Sequence, residues 1–118
     1  MIEIQKQKRT NYDLEDRTFL FAKNVRDYVR NFPRTISNIE YGKQLIRSSG
    51  SVAANYIEAC EALSHKDFMM RIKICRKEAK ESILWLKLSI TSEEEVQENL
   101  VDEAIQLMKI FGSIVFKD

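Results

Sequence analysis

At three points in this chain a serine stands three residues ahead of a carboxylate: Ser37–Glu40, Ser64–Asp67 and Ser92–Glu95. A serine oxygen in that place accepts a hydrogen bond from the third backbone N–H of a helix. A carboxylate in the first turn meets the positive end of the helix dipole. Ser64–Asp67 is the looser match, because the reciprocal box prefers Glu or Gln. Each pair opens a stretch whose apolar residues recur at helical spacing. A fourth such stretch comes earlier, where Leu14, Phe21, Val25, Tyr28, Val29 and Phe32 share one face with Thr18 and Ala22. Pro33 stops it, since the residue before a proline is steered out of the α region. The expected helices are 13–32, 37–62, 64–90 and 92–116, with residues 1–12 a polar, basic tail. Only three glycines and one proline interrupt 118 residues, so the links are short. Short links force sequential helices antiparallel, and the fold class that follows is all-α: an up-down-up-down four-helix bundle.

This length suits one domain with a core large enough to need no metal or disulfide. The net charge of +1 names no polyanionic partner by itself. No apolar run nears the roughly 20 residues that cross a bilayer, and the N-terminus lacks a secretory signal, so the expectation is a cytoplasmic protein without a membrane partner. Cys60 and Cys75 are expected on two helices that turn near Ser64, at unequal distances from the turn. That sets their sulfurs roughly 10 Å or more apart, too far to bridge, and both read as small buried apolar residues.

Little in the sequence can carry catalysis. The one histidine, His65, falls at a helix start, where a solvated first-turn residue is the simplest reading. Carboxylate-bridged metal bundles need Glu-x-x-His on two helices, and nucleophilic catalysis needs a base that another group orients. No catalytic residue, metal site or cofactor is expected. In the second helix the run Ser48, Ser49, Gly50, Ser51, Ala53, Ala54 predicts a neighbouring helix in close approach.

The third helix has two unusual features. Lys66, Lys73, Lys80 and Lys87 fall one heptad apart, with Arg76 and Lys77 beside them. Residues 64–90 carry seven Lys or Arg against three Asp or Glu, and residues 91–118 carry two against seven. One reading pairs the stripe internally, with Lys87 level with Glu95 and Lys80 with Asp102. The other makes it a phosphate-binding ridge for RNA or DNA. The internal pairing is the favoured reading, so a nucleic-acid partner is possible but not favoured; no aromatic residues interleave the lysines, which counts against single-strand recognition. The helix also has two apolar sides. Phe68, Ile72, Cys75, Ala79, Ile83, Leu86 and Ile90 make the core face, while Met70, Ile74, Trp85 and Leu88 form a second strip. A helix in a lone bundle needs one such face, so the second predicts a surface covered by another copy, unless the helix is more central than a bundle makes it.

The stretch Arg47-Ser-Ser-Gly-Ser-Val-Ala-Ala-Asn55, then Glu58-Ala and Ser64-His-Lys-Asp67-Phe68, resembles the signature of the four-helix-bundle proteins encoded in intervening sequences of bacterial 23S ribosomal RNA genes. Lys77-Glu-Ala-Lys-Glu-Ser-Ile-Leu-Trp-Leu86 is similar to the segment that follows in one branch. The same superfamily includes the accessory variability determinant of diversity-generating retroelements. The resemblance spans roughly residues 12–90, with signature positions at Arg47, Ser51, Asn55, Glu58, Ser64, Asp67 and Phe68. It implies a protomer assembled into a homo-oligomer, typically a pentameric barrel, and no catalytic residues. Cys60 stands where many relatives carry glycine. The retroelement member is a basic, nucleic-acid-binding partner, from which this near-neutral chain departs. Asn55, at the border of the second helix's apolar face, is expected to cap a carbonyl or to bond across helices.

Overall fold

The computed structural model describes the backbone of residues 2–117 and the side chains of residues 14–117. Its four helices are α1 (Ile2–Asn31), α2 (Ile36–Cys60), α3 (His65–Leu88) and α4 (Glu94–Lys117). Neighbours in sequence are neighbours in space. α1 packs on α2, α2 on α3 and α3 on α4; α4 closes the square against α1, and the diagonal pairs stay apart. This is the up-down-up-down bundle that the short links require. Along its axis Phe21, Val25, Tyr28, Leu45, Val52, Ile72, Leu86, Leu107 and Phe111 are all nearly inaccessible to solvent.

The first helix begins well before Asp13. The backbone expected as a tail over residues 1–12 is helical from Ile2 onward, as its Glu, Gln, Lys and Arg content favours. The side chains of that segment lie outside the described residues.

Of the three serine caps, one stands as read. Ser64 Oγ accepts from Asp67 N at 3.1 Å and opens α3. At α2 the cap is Thr35, whose Oγ1 accepts from Asn38 N at 3.1 Å, two residues before the expected Ser37. At α4 the helix starts at Glu94, and Ser92 does not cap it. Thr91 Oγ1 instead accepts from Glu93 N at 2.9 Å, and Glu93 O takes the first helical bond from Gln97 N. The α2 and α3 ends also fall short of 62 and 90. Ile90, expected in the core face, lies exposed in the α3–α4 link.

The shift at α2 has a cause in tertiary structure. Starting the helix at Ile36 puts Asn38 in its first turn, fully buried between the two links at one end of the bundle. Its Nδ2 donates to Pro33 O and to Ile90 O, each at 2.8 Å, and its Oδ1 accepts from Ile90 N at 3.0 Å. One amide thus satisfies three backbone groups of two separate loops, which buried polar groups require. Beside it the Tyr28 hydroxyl pairs with Ser89 Oγ at 2.6 Å, and burial raises the Tyr28 pKa above its ordinary value. Gln97 Nε2 donates to Leu86 O and Ser89 O at 2.7 and 3.0 Å, closing the carbonyl end of α3. All four helices are tied at this end by side-chain hydrogen bonds.

Candidate oligomer interface and basic stripe

The signature residues on α2 turn toward α3, and they explain how the two helices are held. Arg47 reaches Glu78 Oε1 at 3.4 Å and Glu81 Oε1 at 3.2 Å. Glu78 is buried, and the Arg47 guanidinium meets its carboxylate there. Ser48 Oγ and Ser82 Oγ pair at 2.7 Å. Cys75 Sγ donates to Val52 O at 3.5 Å, and burial pushes its pKa up to about 12, so it stays a thiol. Asn55 does both things expected of it. Its Nδ2 donates to Ser51 O and Ser51 Oγ at 2.9 Å, and its Oδ1 accepts from Arg71 Nη1 of α3 at 3.0 Å. Glu58 lies with Asp67 and Arg71 around a surface groove at the α2–α3 turn. Phe68 packs its half-buried ring against the core, 6.5 Å from the exposed His65 ring.

Of the small-residue run, Ser48 meets α3 and Gly50 does not; the other contacts with α3 come from Val52 and Asn55, outside the run. Beyond its chain neighbours and its own helix backbone, no described atom lies within 4 Å of the place a Gly50 Cβ would take. The glycine that does permit close approach is Gly42, where a Cβ would sit 3.0 Å from Phe32 Cζ and 3.1 Å from Val29 Cγ1. Cys60, expected buried, is exposed, because α2 ends there; it is a free thiol, as is Cys75.

The proposed strip on α3 divides. Met70 and Leu88 are 47% and 42% exposed, and Ile74 is half-buried between them along the helix. Trp85 turns aside toward α2, where its ring stacks on Tyr41 with centroids 6.1 Å apart. Its Nε1 is buried and has no hydrogen-bond partner among the described residues. Leu84, 49% exposed, takes its place in the strip. Periodicity could have found it: Met70, Ile74, Leu84 and Leu88 keep heptad spacing, and Trp85 sits one position round toward α2.

Of the basic stripe, Lys66, Lys73, Lys77, Lys80 and Lys87 are exposed. Lys77 Nζ reaches Glu78 Oε2 at 4.0 Å. Arg76 lies instead over the Phe116 ring of α4, 5.0 Å from its centroid. The expected pairs Lys87–Glu95 and Lys80–Asp102 do not form. The link 89–93 is longer than one turn residue, so α4 enters later and Lys87 faces Gln97, Glu98 and Asp102 across an open cleft of about 370 Å³. Among the described residues no group of three His, Cys, Asp or Glu side chains converges as a metal site. No described helix is long and apolar enough to cross a membrane.

No curated protein matches this chain. A solved structure is similar in both sequence and fold: a protein of unknown function from the S23 ribosomal protein family of Bacteroides thetaiotaomicron VPI-5482. It is 28% identical with a TM-score of 0.73, and the match covers 86% of this chain and 97% of that one. The family model for the 23S rRNA-intervening sequence protein matches residues 10–113. With that model spanning nearly the whole bundle, the chain belongs to the 23S rRNA-intervening sequence protein family.

Proposed function

We propose that this protein performs no chemistry of its own and works as a self-associating structural module, with the outer strip of α3 covered by another copy. The observation that carries this reading is the exposure of Met70, Leu84 and Leu88 along one line of a helix whose opposite face already fills the core. Exposed apolar side chains aligned in this way support an interface, with Lys77 and Glu81 between them. A non-enzymatic role is supported by the setting of the reactive groups. His65 sits exposed in the first turn of α3, and the Cys75 thiol is held protonated inside the bundle. Solution mass by light scattering tests the reading. At micromolar concentration the mass should be a multiple of the 13.9 kDa chain. A single-chain mass at every concentration would remove it.

A second reading has one observation in its favour. The stripe lysines stand free of α4 and face solvent, so the protein is also a candidate RNA- or DNA-binding accessory factor. On that reading, affinity for RNA falls steeply between about 50 and 200 mM salt. Lys73→Glu with Lys80→Glu should then abolish binding while the helical signal is kept. Absence of binding at low ionic strength would discard it.

A further inference from the structure

The outer groove between α3 and α4 changes charge along its length. At one end Lys87 faces Glu98 and Asp102. From there α4 continues the same line, by steps of three and four, through Ile105, Lys109, Gly112 and Phe116. Across from this second half stand Lys73, Arg76 and Lys80 of α3. Arg76 fixes the register: its guanidinium lies 5.0 Å from the Phe116 ring centroid, and its Nε would be 3.4 Å from a Cβ added at Gly112. Lys73, Arg76, Lys80 and Lys109 thus gather at one end. Among the described residues none of the four makes an ion pair.

Gly112 lets Arg76 lie there. A longer side chain at that position would fill the space that the arginine stem crosses, since Arg76 Cδ is already 3.7 Å from the Cβ place. The half-buried guanidinium is therefore held by packing and by the ring rather than by a carboxylate. Its edge donors stay available, and a side chain already fixed loses little freedom on binding a ligand. Phe116 is 71% exposed although Arg76 covers one face, so the other face of the ring meets solvent. The aromatic residue that the lysine row lacks along α3 is supplied by α4.

We propose that this end of the groove binds single-stranded nucleic acid, with a base stacked on the open face of Phe116 and the flanking phosphates met by Arg76, Lys73, Lys80 and Lys109. This rests on the second reading above and names the form of nucleic acid and the residues that take it. Stacking on an aromatic ring, with cations tracking the backbone, is how single strands are held without regard to sequence. The bases of a duplex are already stacked on one another and offer Phe116 no face.

The groove selects residues differently from the α3 row. Lys87 is excluded, because Glu98 and Asp102 stand across from it and repel phosphate. Lys77 is excluded as well, since it lies within the outer apolar strip and reaches Glu78. Lys109 is added, from a helix whose charges are mostly acidic. The groove lies about a quarter of a turn round α3 from Met70, Ile74, Leu84 and Leu88. Covering that strip with another copy leaves the groove open.

Fluorescence anisotropy tests the site, using a short labelled strand of one sequence as RNA and as DNA, each free and annealed to its complement. Both single strands should bind, because the contacts are to bases and phosphates, and each should bind at least about tenfold more tightly than its duplex. Phe116→Leu should lose about tenfold in single-strand affinity, and Phe116→Trp should keep it, with helical circular dichroism unchanged in both. Lys109→Glu should weaken binding more than Lys87→Glu. The slope of log affinity on log salt should be no steeper than about −3, as four phosphate contacts give on a single strand. No binding of any form at low ionic strength would overturn this site together with the nucleic-acid reading. Equal affinity for single strand and duplex, or unchanged binding by Phe116→Leu, would overturn the groove and leave that reading standing. A larger loss from Lys87→Glu than from Lys109→Glu would put the strand along the α3 row and likewise overturn the groove.

Discussion

Replacing Asn38 by leucine should cost the bundle about 3 kcal/mol or more and lower Tm by roughly 10 °C, although leucine is the better helix former. The amide makes three hydrogen bonds to backbone groups of the Pro33 and Ile90 links, and it is fully buried. Leucine would leave two carbonyls and one N–H without the amide that joins the two links. Each such group carries a penalty of about 1–3 kcal/mol. The matching change at Asn55 should cost only about 1 kcal/mol. Asn55 is half-buried, Ser51 O already serves the helix, and Arg71 can turn to solvent. Thermal unfolding of the two variants side by side checks the ranking. Equal losses would mean that Asn38 does not join the two links as described.

The second large effect is a pair of opposite signs at two glycines of one helix. Gly42→Leu should destabilise by about 2–3 kcal/mol. Its first carbon alone would press to 3.0 Å from the Phe32 ring and 3.1 Å from Val29, and both belong to the packed α1–α2 contact. Gly50→Leu should stabilise the isolated protomer by up to about 1 kcal/mol. Beyond its chain neighbours and its own helix backbone, nothing described lies within 4 Å of its Cβ position, and any side chain there reduces the entropy that glycine loses on folding. Denaturant unfolding at concentrations low enough to keep chains separate measures both. Destabilisation by both substitutions would show that Gly50 packs against something within the protomer.

These two residue pairs mark where sequence reading succeeded and where it did not. The helices, their order and their antiparallel run were legible because caps, proline and periodicity are local. Ser64 caps α3 for a reason contained within four residues of chain. Thr35 and Ser37 are both acceptable caps by the same local rule. What selects Thr35 is the burial of Asn38 against Ile90, and that contact spans 52 residues of sequence.

The candidate interface divides along the same line. The second apolar strip on α3 was visible in heptad spacing, and Met70, Ile74 and Leu88 lie along it. Hydrophobicity alone places Trp85 in that strip, yet one helical position separates a residue facing solvent from one stacked on Tyr41. The stripe lysines were legible as a row. Their freedom from α4 was not, because the length of the link at 89–93 sets the α3–α4 register.

The sequence by itself determined that this chain makes four amphipathic helices, because local hydrogen bonding and a 3.6-residue period need no knowledge of distant partners. Only the tertiary structure decided which asparagine joins two links, which glycine admits a neighbour and which apolar residues remain exposed. Each of those depends on which side of a helix meets another helix, and register and rotation between helices are fixed by contacts far apart in the chain.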